Sequence, residues 1–80
     1  HLIELGENIA QKHGIPFTIF HKIIEETHKN AVEIGARNSQ TGPAKRKDNR
    51  TINKHLDLLS DEGIKKIYLG LTDSIKKRHE

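Results

Sequence analysis

The chain has no cysteine, no methionine and no tryptophan, and only three aromatic residues in 80: Phe17, Phe20 and Tyr68. Without cysteine, disulfides and thiolate metal sites are excluded. With so few aromatics the apolar content rests on Leu and Ile. A chain of this length buries only about 60% of the surface it exposes when unfolded, so a single small core is marginal and packing against a second subunit or domain is expected. No run of about 18 apolar residues is present, so no membrane span is expected, and the first residues do not form a signal peptide. The expected compartment is the cytoplasm. The sequence opens on "HLIELGENIA", a helical pattern with no capping residue ahead of it and no initiating methionine, the start expected of a piece of a longer protein.

Charge is present but unevenly spread. Net charge is +3, while Lys45 to Lys54 hold five cations against the single acid Asp48, a local +4, so the remainder sums to −1. Basic character this local suits a specific anion site better than a broad nucleic-acid face.

Hydrophobic spacing predicts an all-α domain of four helices, with no strand period and no internal repeat. The first helix covers about 2–13 (Leu2, Leu5, Ile9, Ala10), with Gly14 as a left-handed stop. A second, about 16–34, starts at Pro16, presents Phe17, Phe20, Ile24, Thr27, Ala31 and Ile34 on one face, and ends at Gly35. A polar connector over 36–48 contains the pair Gly42-Pro43. The third helix, 49–59, is capped by Asp48 and buries Ile52, Leu56 and Leu59. The fourth, 61–78, is capped by Ser60 or Asp61 and carries Ile64, Ile67, Tyr68, Leu71 and Ile75 as its stripe.

Among candidate chemistries, six histidines raise a metal site, but His21 and His28 are seven apart and the i, i+4 ligand pair that a helical metal motif needs is missing, so no metal is expected. No Gly-x-Ser-x-Gly elbow supports a serine nucleophile, and no glycine-rich loop follows a strand, so this chain alone holds no dinucleotide. The connector "QTGPAKRKD" stands out. Gly42 permits positive φ and Pro43 fixes the next backbone angle. Lys45, Arg46, Lys47 and Arg50 then gather at a helix start that itself favours anions. Asp48 either competes for the same N–H groups as an N-cap or pairs with Arg46. Asp48, Thr51 and His55 share one side of the third helix. Without further information, a solvated basic loop with an ordinary cap explains the same residues.

The order "QTGPAKRKD…INKHLDLLSD…IYLGLTDSI", preceded by "GENIAQKHGIPF" and "IIEETHKNAVEIG", resembles the C-terminal helical domain of the Rossmann-like oxidoreductases labelled domain of unknown function 2520, within the 6-phosphogluconate dehydrogenase C-terminal-like superfamily. The likeness runs along essentially the whole chain. Its sharpest element is Thr41, Gly42, Pro43, Arg46, Asp48 and then His55. The family pattern has Arg-Gly-Asp where this chain has Arg46-Lys47-Asp48, so a side chain stands where glycine would allow an unusual backbone. The resemblance implies an N-terminal Rossmann domain, outside this chain, that binds NADP or NAD. It also implies a helical domain that packs on it and forms a homodimer, and a cleft between domains that holds an anionic small-molecule substrate. On that reading Thr41, Gly42, Pro43, Arg46, Asp48 and His55 form one polar cluster on the cleft side, and no catalytic residue is assigned. Two other classes remain: a small basic helical module that grips nucleic acid through Lys45 to Lys54, which lacks a nearby aromatic for base stacking, and a purely structural dimerisation domain.

Overall fold

A computed structural model describes all of residues 1–80 and contains helices without strands. In chain order these are α1 (Leu2–Lys12), α2 (Phe17–Ile34), α3 (Pro43–Arg46), α4 (Asn49–Leu58) and α5 (Glu62–Arg78). They fall into two compact units, residues 1–39 and 40–80. The all-α class matches expectation, but the helix count does not: the stretch expected to be pure connector over 36–48 includes the one-turn helix α3. Gly42 and Pro43 read as breakers, yet they are equally a start signal. Gly42 takes φ 99° at the N-cap, and proline at the first helical position gives up only an N–H that has no helical partner.

In the first unit, α1 ends in a tight reversal. Gly14 sits at φ +69°, Ile15 N–H donates to the Ala10 carbonyl at 2.9 Å and Gly14 N–H to that of Gln11 at 3.2 Å. This paired closure satisfies the last carbonyls of the helix and turns the chain back on itself. Pro16 then opens α2, its carbonyl accepting from Ile19 and Phe20.

The two helices pack closely because Gly6 has no side chain: a Cβ there would lie 2.6 Å from Phe20 Cζ. Glu7 Oε1 lies 2.8 Å from His21 Nε2 across the pair. The His21 ring is flanked by Phe17 and Phe20, with ring centroids at 4.1 and 5.6 Å. Only Ala10 is buried in this unit, and α2 has no buried residue. Cover along the α2 stripe is partial. Phe20, Ile24 and Ala31 are half-buried, while Phe17 and Ile34 stay exposed.

In the second unit, α3 packs against both α4 and α5. Its Ala44 is buried, as are Ile52 of α4 and Thr72 of α5. Small side chains at Ala44 and Thr72 let the helices approach, but no large side chain is completely enclosed. Asp61 caps α5, accepting from Ile64 N–H at 3.0 Å, and Lys76, Lys77 and Arg78 in the last turn complement the negative end of its dipole.

The turn from α3 to α4 repeats the α1 closure. Asp48 N–H donates to the Pro43 carbonyl at 2.8 Å and Lys47 N–H to that of Ala44 at 3.2 Å. Here the left-handed residue is Lys47, at φ 57° and ψ 37°, the one non-glycine residue with positive φ. A side chain in this region costs about 1–2 kcal/mol, whereas glycine loses roughly 0.5–1 kcal/mol more backbone entropy on folding. Lys47→Gly is therefore expected to stabilise the chain by roughly 0.5–1 kcal/mol, read as a higher urea midpoint at unchanged slope. A lower midpoint would show that the lysine side chain contributes more than its backbone strain costs.

Candidate anion-facing site at the α3–α4 turn

The site grows from the cap of α4. Asp48 Oδ1 accepts from Thr51 N–H at 3.1 Å, and Asp48 Oδ2 accepts from the Thr51 hydroxyl at 2.7 Å. One side chain thus satisfies an orphan helix donor and ties down a neighbouring hydroxyl. An Arg46 terminal nitrogen stands 3.8 Å from Asp48 Oδ2, with the Arg46 side chain 61% exposed and that of Asp48 34%. Asp48 therefore does both things open to it: it caps the helix and holds a guanidinium in a loose ion pair.

Electrostatics follow from that geometry. The Thr51 hydroxyl, then the Thr51 N–H, and then the charges of Arg46 and Arg50 hold the Asp48 carboxyl below its usual value of 3.8, against a partial desolvation that works the other way. Asp48 already satisfies the Thr51 N–H at the start of α4. Lys45, Arg46, Lys47 and Arg50 are all exposed.

The remaining sequence-predicted residues divide. Gly42 and Pro43 lie beside the cluster as the N-cap and first residue of α3. Thr41 is exposed, and its carbonyl accepts from the Gln40 side chain at 2.9 Å; no hydrogen bond joins it to Arg46 or Asp48. His55 does not join the expected polar cluster. Its Nδ1 lies 2.7 Å from the Tyr68 hydroxyl of α5, the rings meeting edge to face at 5.7 Å. Two helical turns, about 10 Å, separate it from Asp48, and the tyrosine hydroxyl is within direct reach. When the imidazole carries its proton on Nε2, Tyr68 is the donor in this bond. Burial raises the Tyr68 pKa above its ordinary 10.0.

Two partners escaped the sequence pattern. Lys76 Nζ, from the last turn of α5, donates to Asn49 Oδ1 at 3.0 Å, which brings a further cation to the α4 start. The sequence pattern places Tyr68 only in an apolar stripe. Both contacts span distant positions, 27 and 13 residues, and no local spacing announces them. No group of three or more His, Cys, Asp or Glu side chains converges as metal ligands. No helix is long and apolar enough to cross a membrane.

Among known proteins, the family model described as domain of unknown function (DUF2520) matches residues 1–75. No curated protein and no solved structure matches the chain.

Two measurements test this site. Asparagine caps a helix as well as aspartate does, so Asp48→Asn isolates the charge. A depressed carboxyl contributes stability that is fully present above its unfolded value of 3.8 and is lost as pH falls through the lower folded value. Thermal midpoints should favour the parent chain at pH 7 in low salt and converge with Asp48→Asn well below pH 3.8; a gap independent of pH would exclude the charge as its source. Tyr68→Phe should cost about 0.5–1.5 kcal/mol by chemical denaturation, the usual net value of one hydrogen bond, and a neutral result would show that water serves His55 equally well.

Proposed function

The chain belongs to the family described as domain of unknown function (DUF2520), and from that premise we propose that it is the helical substrate-side and dimerisation domain of an NAD(P)-dependent oxidoreductase. In this reading the nicotinamide dinucleotide is bound by an N-terminal Rossmann domain outside the chain, and this chain is not catalytic alone. Its turn at 41–50 offers cations to an anionic small-molecule substrate in the cleft between the domains, in a cytoplasmic homodimer. The Rossmann and 6-phosphogluconate dehydrogenase link rests on sequence resemblance, which is a warrant by analogy.

The observation that carries the proposal is the apolar surface left uncovered. Leu2, Phe17, Ile23, Val32 and Leu58 are 58, 64, 58, 72 and 66% exposed. Isolated apolar residues on a surface are ordinary. Here large side chains stay open on helix after helix while the buried set is Ala10, Ala44, Ile52 and Thr72. Such helices gain most of their stability by packing an apolar face against something else, which fits a domain seated on a second domain and a second copy. The exposed cations around Asp48 supply the anion-facing part of the reading.

Sedimentation and calorimetry test it together. At micromolar concentration the chain should sediment as a dimer and show no NADPH binding, while the polypeptide including the residues encoded upstream should bind NADPH. A monomer of high thermal stability would remove the dimerisation role. Micromolar NADPH binding by this chain alone, or an upstream sequence without a glycine-rich βαβ unit, would overturn the oxidoreductase reading.

A further inference from the structure

α2 carries two adjoining apolar faces, one half-buried and one open. Phe20, Ile24 and Ala31 are half-buried, with Phe20 seated over Gly6 of α1. At 100° per residue, Ile19, Ile23, Thr27, Asn30 and Ile34 lie within about 80° of one another on the other face. All five are exposed, the three isoleucines at 51, 58 and 55%. A shallow open depression of about 340 Å³ lies on this face, lined by Ile19, Lys22, Ile23, Glu26, Thr27 and Asn30. The Thr27 hydroxyl donates to the Ile23 carbonyl at 2.8 Å, so its hydrogen-bond need is met without water when the face is covered.

The charged flank of the open face decides what fits it. Lys22, Glu26, Lys29 and Glu33 run along the edge away from Phe20 and Ala31, within about 60° of one another, and alternate in sign. No ion pair in the chain engages any of the four. When a second α2 is laid against the first in the opposite direction, about a two-fold axis beside Thr27 and His28, each flank meets the same flank of the copy. Lys22 then stands level with Glu33 of the second copy and Glu26 with its Lys29. Every charge meets its opposite, and symmetry makes each pair twice. In the same register Ile34 of the second copy falls between Ile19 and Ile23. Parallel helices offer no such match, because the charged flank would then face Phe20, Ile24, Thr27 and Ala31 of the copy, which carry no charge.

We infer that α2 pairs with α2 of a second copy of this chain, antiparallel and two-fold symmetric, burying Ile19, Ile23, Thr27 and Ile34. The flank of Lys22, Glu26, Lys29 and Glu33 fixes direction and register. This pairing deepens the dimerisation role proposed above and rests on it, adding the surface and its geometry. The order of signs singles out a second copy as the occupant, since an unlike partner requires no self-complementary flank.

Sedimentation equilibrium of the 80-residue chain at low ionic strength tests it. Lys22→Glu with Lys29→Glu makes the flank wholly acidic, and Glu26→Lys with Glu33→Lys makes it wholly basic. Each double variant should dimerise at least about tenfold more weakly than the parent, and an equimolar mixture of the two should recover the parent affinity as a heterodimer. Orientation has its own readout, because the chain contains no cysteine. On oxidation Thr27→Cys, beside the two-fold axis, should form a disulfide-linked dimer with itself. Ile19→Cys should not, since the two copies of residue 19 stand at opposite ends of the interface, but it should cross-link to Ile34→Cys. These cysteine pairs decide the question even where a double variant loses helicity. Self-linking at position 19 as ready as at position 27 would mean parallel helices and overturn the pairing. If the parent dimerises and neither double variant weakens it, the dimer uses another surface: the pairing falls and the dimerisation role stands. A parent chain that stays monomeric at micromolar concentration removes both.

Discussion

The left-handed backbone at Lys47 is the constraint from which the second unit follows. It allows the chain to leave α3 and enter α4 within two residues, with the Asp48 N–H closing the end of one helix while the Asp48 side chain opens the next. A right-handed residue at position 47 would continue α3 and carry Asp48 away from Thr51. The short α3 would then lose the closure that seats Ala44 against its neighbours. Residue 47 therefore couples backbone strain to burial and to the placement of Arg46, which reaches the carboxylate that caps α4.

Packing throughout the chain is thin, and its thinness has a physical consequence. The buried residues are small or of medium size, so each contributes little apolar area, against a conformational entropy cost of about 1–2 kcal/mol for every ordered backbone residue. Local devices carry a correspondingly large share of the order. Two glycine- or lysine-centred reversals, two aspartate caps and the interhelical contacts of Glu7 with His21 and His55 with Tyr68 specify geometry where apolar volume is short. Phe17 and Val32 stay exposed.

Charge is arranged by the same economy. Asp48 is the only acid among the cations of the turn, and its carboxylate is engaged with Thr51 before it meets Arg46. The local charge at the α4 start remains positive. Its strength depends on ionic strength, because exposed charges are screened over about 8–10 Å in physiological salt.

What could be read along the chain is what depends on neighbours within one or two turns. The caps at Asp48 and Asp61, the reversal at Gly14, the start at Pro16 and the positive φ of Gly42 all involve partners no more than five residues away, and the residue types that make them are few. The helix inside the connector is legible in principle from Gly42 followed by Pro43, but the same pair also marks a break, and only the packing of α3, with Ala44 buried, on α4 and α5 decides between them. The halves of the candidate site separate along the same line. Arg46, Asp48 and Thr51 belong to one local turn and were visible. His55 is expected in the polar cluster of the turn, but its partner Tyr68 comes from another element, as Lys76 does for Asn49. Sequence by itself determined the helical class, the caps and the local excess of positive charge, because these follow from backbone hydrogen bonding and composition. The tertiary structure decided which side chains meet, because such pairings depend on how helices from distant parts of the chain lie against each other.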